Sequence, residues 1–137
     1  VSLSPLNHKK VLVVEDNKIY RDMLEAILTK ENYNVDVAED GLCALKKIKN
    51  HVYDLIIMDL FMPNLDGLNT TKKIRNIPIA KNVPVIALAS NKNKKVVQQW
   101  ANYGLKCYIL KPSTKKEILS KISKVLQASA NEYLSNK

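Results

Sequence analysis

Three short, unbroken apolar runs constrain this chain more than any other feature: Val11-Leu12-Val13-Val14, Leu55-Ile56-Ile57-Met58 and Val85-Ile86-Ala87-Leu88. A strand with one wet face alternates apolar and polar residues. A run with no polar position predicts a strand covered on both faces, as in a parallel sheet flanked by helices. Between the runs the period changes. Tyr20, Met23, Leu24, Ile27 and Leu28 recur at helical spacing, with Arg21, Asp22, Glu25 and Lys30 on the other side. Asn34 to Ala38 alternates, with Val35 and Val37 on one face, and predicts a shorter strand. Leu42, Leu45 and Ile48 make a second helical stripe.

Met62-Pro63-Asn64-Leu65-Asp66-Gly67 is a cluster of turn formers, and a helix is expected after it through Leu68 to Ile74. Pro78 and Pro84 bracket a loop. Val96, Val97, Trp100 and Ala101 predict a fourth helix, and Cys107 to Leu110 a fifth strand. Ile118, Leu119, Ile122, Val125 and Leu126 predict the last helix, with Ser113 or Thr114 as its N-cap. Alternating strands and helices predict an α/β fold, a doubly wound five-stranded parallel sheet with helices on both faces.

A length of 137 residues suits one domain, expected over residues 9–127. Residues 1–8 read as a tail or linker, and 128–137 as a C-terminal tail or helix extension. The first residue is Val1, so the sequence reads as processed or as part of a longer chain. No apolar run approaches the roughly 20 residues that span a bilayer, and no secretory signal opens the chain. Cys43 and Cys107 are far apart with no metal-ligand partner at suitable spacing, and read as reduced thiols of a cytoplasmic protein. His8 and His51 are equally isolated, which excludes a recognisable zinc site. Net charge is +9, but the lysines are spread along the chain without interleaved aromatics. They read as solvated helix faces, and direct nucleic-acid binding is not expected.

In open sheets of this kind, ligands sit beyond the carboxyl ends of the strands, where strand order reverses. Glu15 and Asp16 follow the first predicted strand, Asp59 the third and Lys111 the fifth. Three carboxylates held together repel one another and favour a hard divalent cation. A carboxylate is also a nucleophile toward phosphorus, and a metal and a lysine would neutralise charge on the transferred group. A lone Asp after a strand is ordinarily a turn former, and a lone Lys before Pro is ordinarily just exposed. The combination, at three strand ends, points to phosphoryl transfer onto an aspartate.

The stretches Val13-Val14-Glu15-Asp16-Asn17, Met58-Asp59-Leu60-Phe61-Met62-Pro63 with Asp66-Gly67, and Leu110-Lys111-Pro112 resemble the signature stretches of response-regulator receiver domains. Their order and spacing also match, and the resemblance runs from about Lys9 to Leu126. It implies the flavodoxin-like strand order 2-1-3-4-5. It implies that Asp59 accepts a phosphoryl group from a phosphohistidine, carried by a sensor histidine kinase or a histidine phosphotransfer protein. It implies Mg²⁺ held by Asp16, Asp59 and the backbone carbonyl of Phe61, with Glu15 acting largely through water. Lys111 would contact the phosphoryl group, the Lys111-Pro112 peptide is often cis in such proteins, and Tyr108 matches the aromatic switch. Asn17, Tyr20, Arg21 and Leu24 are the candidates for docking the phosphodonor. The fourth predicted helix, fifth strand and last helix would signal outward, and there Lys92, Lys94, Lys95, Lys106, Lys115 and Lys116 suit an acidic partner. The context would be a stand-alone receiver, the receiver of a hybrid kinase, or one from a regulator with another domain.

One position departs from the family pattern. The family has Thr or Ser at the end of the fourth strand, where this chain has Ala89. Ser90 is next door, but adjacent strand residues face opposite ways. The expectation is that phosphorylation survives and switching weakens. Phe61 and Asn91 occupy positions that influence hydrolysis of the acyl phosphate in this family. An apolar Phe61 cannot hold a water by hydrogen bonding, so slow loss of phosphate is expected. The competing reading is a pseudo-receiver that only binds proteins, favoured by Ala89 and opposed by the acidic set with Lys111. A phosphatase of related fold would want Asp at position 61. A nucleotide-binding module would want glycines, and Gly41, Gly67 and Gly104 form neither G-x-G-x-x-G nor a P-loop.

Overall fold

The computed structural model describes residues 8–62, 66–90 and 104–135. Their elements are β1 (Lys10–Val14), α1 (Lys18–Lys30), β2 (Asn34–Ala38), α2 (Gly41–Asn50), β3 (Leu55–Asp59), α3 (Gly67–Ile74), β4 (Val85–Ala89), β5 (Leu105–Leu110) and α4 (Lys115–Ser135). The helix expected around Val96 to Ala101 lies outside the described residues, as does Asn91. The sheet is parallel throughout, in the order β2-β1-β3-β4-β5. This is the doubly wound receiver-type fold that the sequence implied.

The apolar runs are buried as their composition demands, because alternate residues of each strand feed two separate cores. Val11, Val13, Leu55, Ile57, Ile86, Leu88 and Ile109 pack against Leu24 and Leu28 of α1 and Ile118, Ile122 and Leu126 of α4. Leu12, Val14, Ile56, Met58 and Val85 face the other way, against Ala44 and Ile48 of α2 and Ile74 of α3. Burying each large apolar side chain contributes about 1.5–3 kcal/mol, so the two-sided strands anchor the sheet.

Side-chain caps set where the helices start. Asn17 accepts from the Tyr20 amide at 2.9 Å, Asp40 from the Cys43 amide at 2.8 Å, and Asp66 from the Asn69 amide at 2.8 Å. Each satisfies one of the amides that a helix N-terminus leaves open. For α4 the cap is Thr114, whose Oγ1 accepts from the Glu117 amide at 3.1 Å, while the Ser113 hydroxyl donates to the Leu110 carbonyl. The expected stripe on α2 holds at Ile48, which is buried, and at Leu45, which packs against the same core, and is corrected at Leu42. Gly41, Ala44 and Ile48 face inward and Leu42 is 52% exposed. The small Ala44 side chain suits the face turned to the sheet. α4 continues past Leu126 to Ser135.

Candidate functional site

Register brings the acidic residues together. Val14 pairs with Met58, so Glu15 and Asp59, each one residue further on, emerge side by side. Asp59 in turn pairs with Leu88, and Ala89 with Leu110, which puts Lys111 at the same rim. The Lys111 amide extends the ladder by donating to the Ala89 carbonyl at 2.8 Å, and the Lys111-Pro112 peptide is cis.

Glu15, Asp16 and Asp59 each place a carboxylate oxygen within 4.8 Å of the others. Glu15 is fully buried, Asp59 is 6% exposed and Asp16 is exposed. Lys111 Nζ pairs with Glu15 Oε1 and lies 3.4 Å from Asp59 Oδ2. The Phe61 amide donates to Asp59 Oδ1 at 3.2 Å, so both acceptor oxygens are oriented. Burial first, then the neighbouring Asp59, push the Glu15 carboxyl up to about 8, while Lys111 pulls the other way. The second Glu15 oxygen, Oε2, is buried with no hydrogen-bond partner among the described residues. A buried oxygen without a partner beside two further carboxylates is an all-oxygen donor set with a ligand still to satisfy, and it fits a hard divalent cation such as Mg²⁺.

Two neighbours shape this rim. Arg21 Nη1 donates to the Glu15 carbonyl at 2.8 Å and to the Asp16 carbonyl at 3.5 Å, tethering the turn that carries both acids. The Gly67 amide donates to the Leu60 carbonyl at 3.0 Å, where α3 begins directly behind β3.

Ala89 is 2% exposed and packs with Leu60 and Ala87, with half-buried Tyr108 and Leu105 against this small cluster. The backbone of Tyr108 is held by Lys121, whose Nζ donates to its carbonyl at 2.6 Å.

The four expected docking residues separate. Asn17 is exposed, but its side chain caps α1. Tyr20 and Arg21 are half-buried and turn their polar ends inward, Arg21 onto the two carbonyls above. Leu24 is corrected as a docking residue: it is fully buried, because it lies with Leu28 on the stripe of α1 that faces the sheet. Sequence reasoning passed over Ile19, which is 83% exposed at the start of α1, and the openness of Phe61, at 50%. The break of Ile19 from the apolar stripe was the available signal.

The family model for the response regulator receiver domain matches residues 11–123. The chain belongs to this family, the receiver domains of two-component signalling. It is 37% identical over 118 residues to the response regulator ArlR of Staphylococcus aureus, covering 86% of this chain and 52% of that protein. It thus spans about half the length of the curated relatives it matches. Among solved structures it is similar to the receiver domain of the sensor histidine kinase PA1611 from Pseudomonas aeruginosa PAO1. That likeness is 30% identity at a TM-score of 0.80, over 88% of this chain and 98% of that one. The PA1611 structure has a magnesium ion coordinated in the active site cleft. The chemotaxis protein CheY4 of Vibrio cholerae is similar at 29% identity and a TM-score of 0.82, over 86% of this chain and 98% of that one. Among the described residues, no helix is long and apolar enough to cross a membrane.

Proposed function

We propose that Asp59 is the phosphoacceptor of a two-component phosphorelay, taking its phosphoryl group from a phosphohistidine on a sensor histidine kinase or histidine phosphotransfer protein. The observation that carries this reading is the pairing of a nearly buried aspartate with Lys111 at 3.4 Å, inside a group of three carboxylates. An Asp59 oxygen attacks phosphorus, the P–N bond to the donor imidazole breaks, and its electrons remain on the imidazole nitrogen. The product is an acyl phosphate on Asp59. Lys111 supplies a positive charge beside the transferring oxygens, and the Phe61 amide holds the carboxylate in line. Asp16 and Asp59, with the Phe61 carbonyl and with Glu15 through water, would hold Mg²⁺, which offsets the negative charge of the phosphoryl oxygens. Ile19 and Phe61, both exposed near this rim, suit an apolar surface on the donor.

The switch is weakened in this reading. Ala89 offers methyl packing to Tyr108 where the family places a hydroxyl that would bond the phosphoryl oxygen. Transfer onto Asp59 does not need that hydroxyl, but coupling of the transfer to Tyr108 does. The receiver unit of this reading is residues 9–127, with 1–8 and 128–137 as flanking segments.

The experiment is intact-mass measurement after incubation with Mg²⁺ and acetyl phosphate, for wild type and Asp59→Ala. A phosphate-sized gain in wild type alone supports the acceptor. No gain, together with failure to bind beryllofluoride, would turn the reading to a pseudo-receiver that acts through protein contacts alone.

A further inference from the structure

We propose that Tyr20 is a positioning residue of the acceptor site, whose aromatic face, and not its hydroxyl, holds the Lys111 ammonium over Asp59 and Glu15. This rests on the reading of Asp59 as phosphoacceptor.

Lys111 Nζ lies 4.8 Å from the centroid of the Tyr20 ring. The same ammonium pairs with Glu15 and reaches Asp59, so two acidic side chains and an aromatic face hold it. A lysine side chain is a compact charge on a flexible four-carbon stem, and by itself it samples many positions. Here the Lys111 side chain is only 27% exposed. In such a partly dry setting an aromatic face attracts a cation more strongly than it does in water.

The placement of Tyr20 is built in from α1. The Asn17 side chain accepts from its amide at 2.9 Å and fixes the first turn, and the ring packs against the core beside Met23. A cavity of about 320 Å³ opens beside it, lined by Glu15, Asn17, Ile19, Tyr20, Met23 and Lys111. Without the ring, the ammonium would have space and water to swing into.

The hydroxyl has no such role. Among the described residues Tyr20 Oη is buried without a hydrogen-bond partner, so no polar contact there accounts for the residue. A buried hydroxyl without a partner costs stability, and removing it while keeping the ring is neutral or favourable. What remains is the ring face under Lys111. It keeps the charge where the oxygens of the incoming phosphoryl group develop theirs, so that less reorganisation is needed at transfer.

The test compares Tyr20→Leu, Tyr20→Phe and a series of increasingly fluorinated phenylalanines at position 20, which keep the ring while draining its face of negative charge. The first readout is the NMR shift of the Lys111 ε-methylene protons in the metal-free, unphosphorylated protein. An upfield shift in wild type and Tyr20→Phe that vanishes in Tyr20→Leu is expected, and its absence from wild type would overturn the proposal. The second is the rate of phosphate gain from acetyl phosphate and Mg²⁺. Tyr20→Leu should slow it roughly fivefold, with recovery in Tyr20→Phe and graded loss along the fluorinated series at unchanged Tm. Equal rates for Leu and Phe would overturn the positioning role. If wild type gains no phosphate and binds no beryllofluoride, the acceptor reading fails, while the proton shift still decides whether the ring holds Lys111. Should Tyr20→Leu not fold, the fluorinated series decides on its own.

Discussion

Gly67 stands against the backbone at the end of β3 so closely that a Cβ there would come within 2.7 Å of Leu60 Cα, as well as meeting the Asp59 carbonyl. Its amide meanwhile donates to the Leu60 carbonyl at 3.0 Å. Both partners are backbone and cannot turn aside as a flexible side chain would. Gly67→Ala therefore forces α3 and the peptide after Asp59 apart. The expected result is a loss of about 1–3 kcal/mol, the usual range for overpacking. Phosphate gain should fall further than the lost stability explains, as read by denaturant unfolding and intact mass on the same samples.

Glu15 makes the metal-free protein sensitive to pH. Its carboxyl is raised from an ordinary 4.5 to about 8, first by burial and then by Asp59. Between those values the folded chain holds a proton that the unfolded chain has released. Because the folded state then binds more protons, stability falls as pH rises across that window. Thermal unfolding without metal should show this decline, and Glu15→Gln should flatten it. Added Mg²⁺ should raise Tm more at about pH 8 than at about pH 6, because a metal competes with that proton.

Arg75 ties the far end of the domain together. Its Nη1 donates to the Val83 carbonyl at 2.7 Å, the Lys81 carbonyl at 3.2 Å and the Ala80 carbonyl at 3.3 Å, and its Nη2 to the Gly104 carbonyl at 3.3 Å. Gly104 has φ +80°, and a Cβ there would come within 2.9 Å of the guanidinium carbon. Arg75→Ala leaves four carbonyls, three of them in partly buried contacts, without a charged donor. It should cost about 2–3 kcal/mol by chemical denaturation. Arg75→Lys should recover little of it, because an ammonium cannot span the same fork.

Ala89→Thr tests the proposal that Ala89 weakens the switch. The new hydroxyl would enter a small apolar cluster beside Tyr108, at a cost of about 1 kcal/mol or more from added volume. The difference between NMR spectra with and without beryllofluoride should grow around Tyr108. An unchanged difference would count against the role given to Ala89.

Phe61 is half exposed at the rim, and its amide bonds the Asp59 carboxylate. Phe61→Asn keeps that amide and adds a side chain able to hold an attacking water. Loss of phosphate after removal of the donor should quicken, roughly tenfold if the new hydrogen bond contributes about 1.4 kcal/mol to the transition state. A decay as slow as wild type would remove Phe61 from the control of lifetime.

The strands and their two-sided burial are legible in the amino-acid sequence, because Val11 to Val14, Leu55 to Met58 and Val85 to Leu88 carry no polar residue and therefore need both faces covered. Glu15, Asp16, Asp59 and Lys111 are legible for a related reason: in a parallel sheet, residues just beyond the strands share one rim whatever their distance in sequence. What a one-dimensional pattern does not contain is helix phase and the direction of each side chain. Leu24 and Leu42 are both leucines on amphipathic helices, yet one is buried and the other open, because α1 turns Leu24 and Leu28 to the sheet while α2 turns Gly41, Ala44 and Ile48 inward. Likewise, only packing in three dimensions turns the guanidinium of Arg21 onto the Glu15 carbonyl and the ring of Tyr20 toward Lys111. Apolar period determines which elements exist and which ends meet. The rotation and register of those elements against one another decide which atoms touch, because short-range contacts depend on ångström-scale positions that residue type alone does not carry.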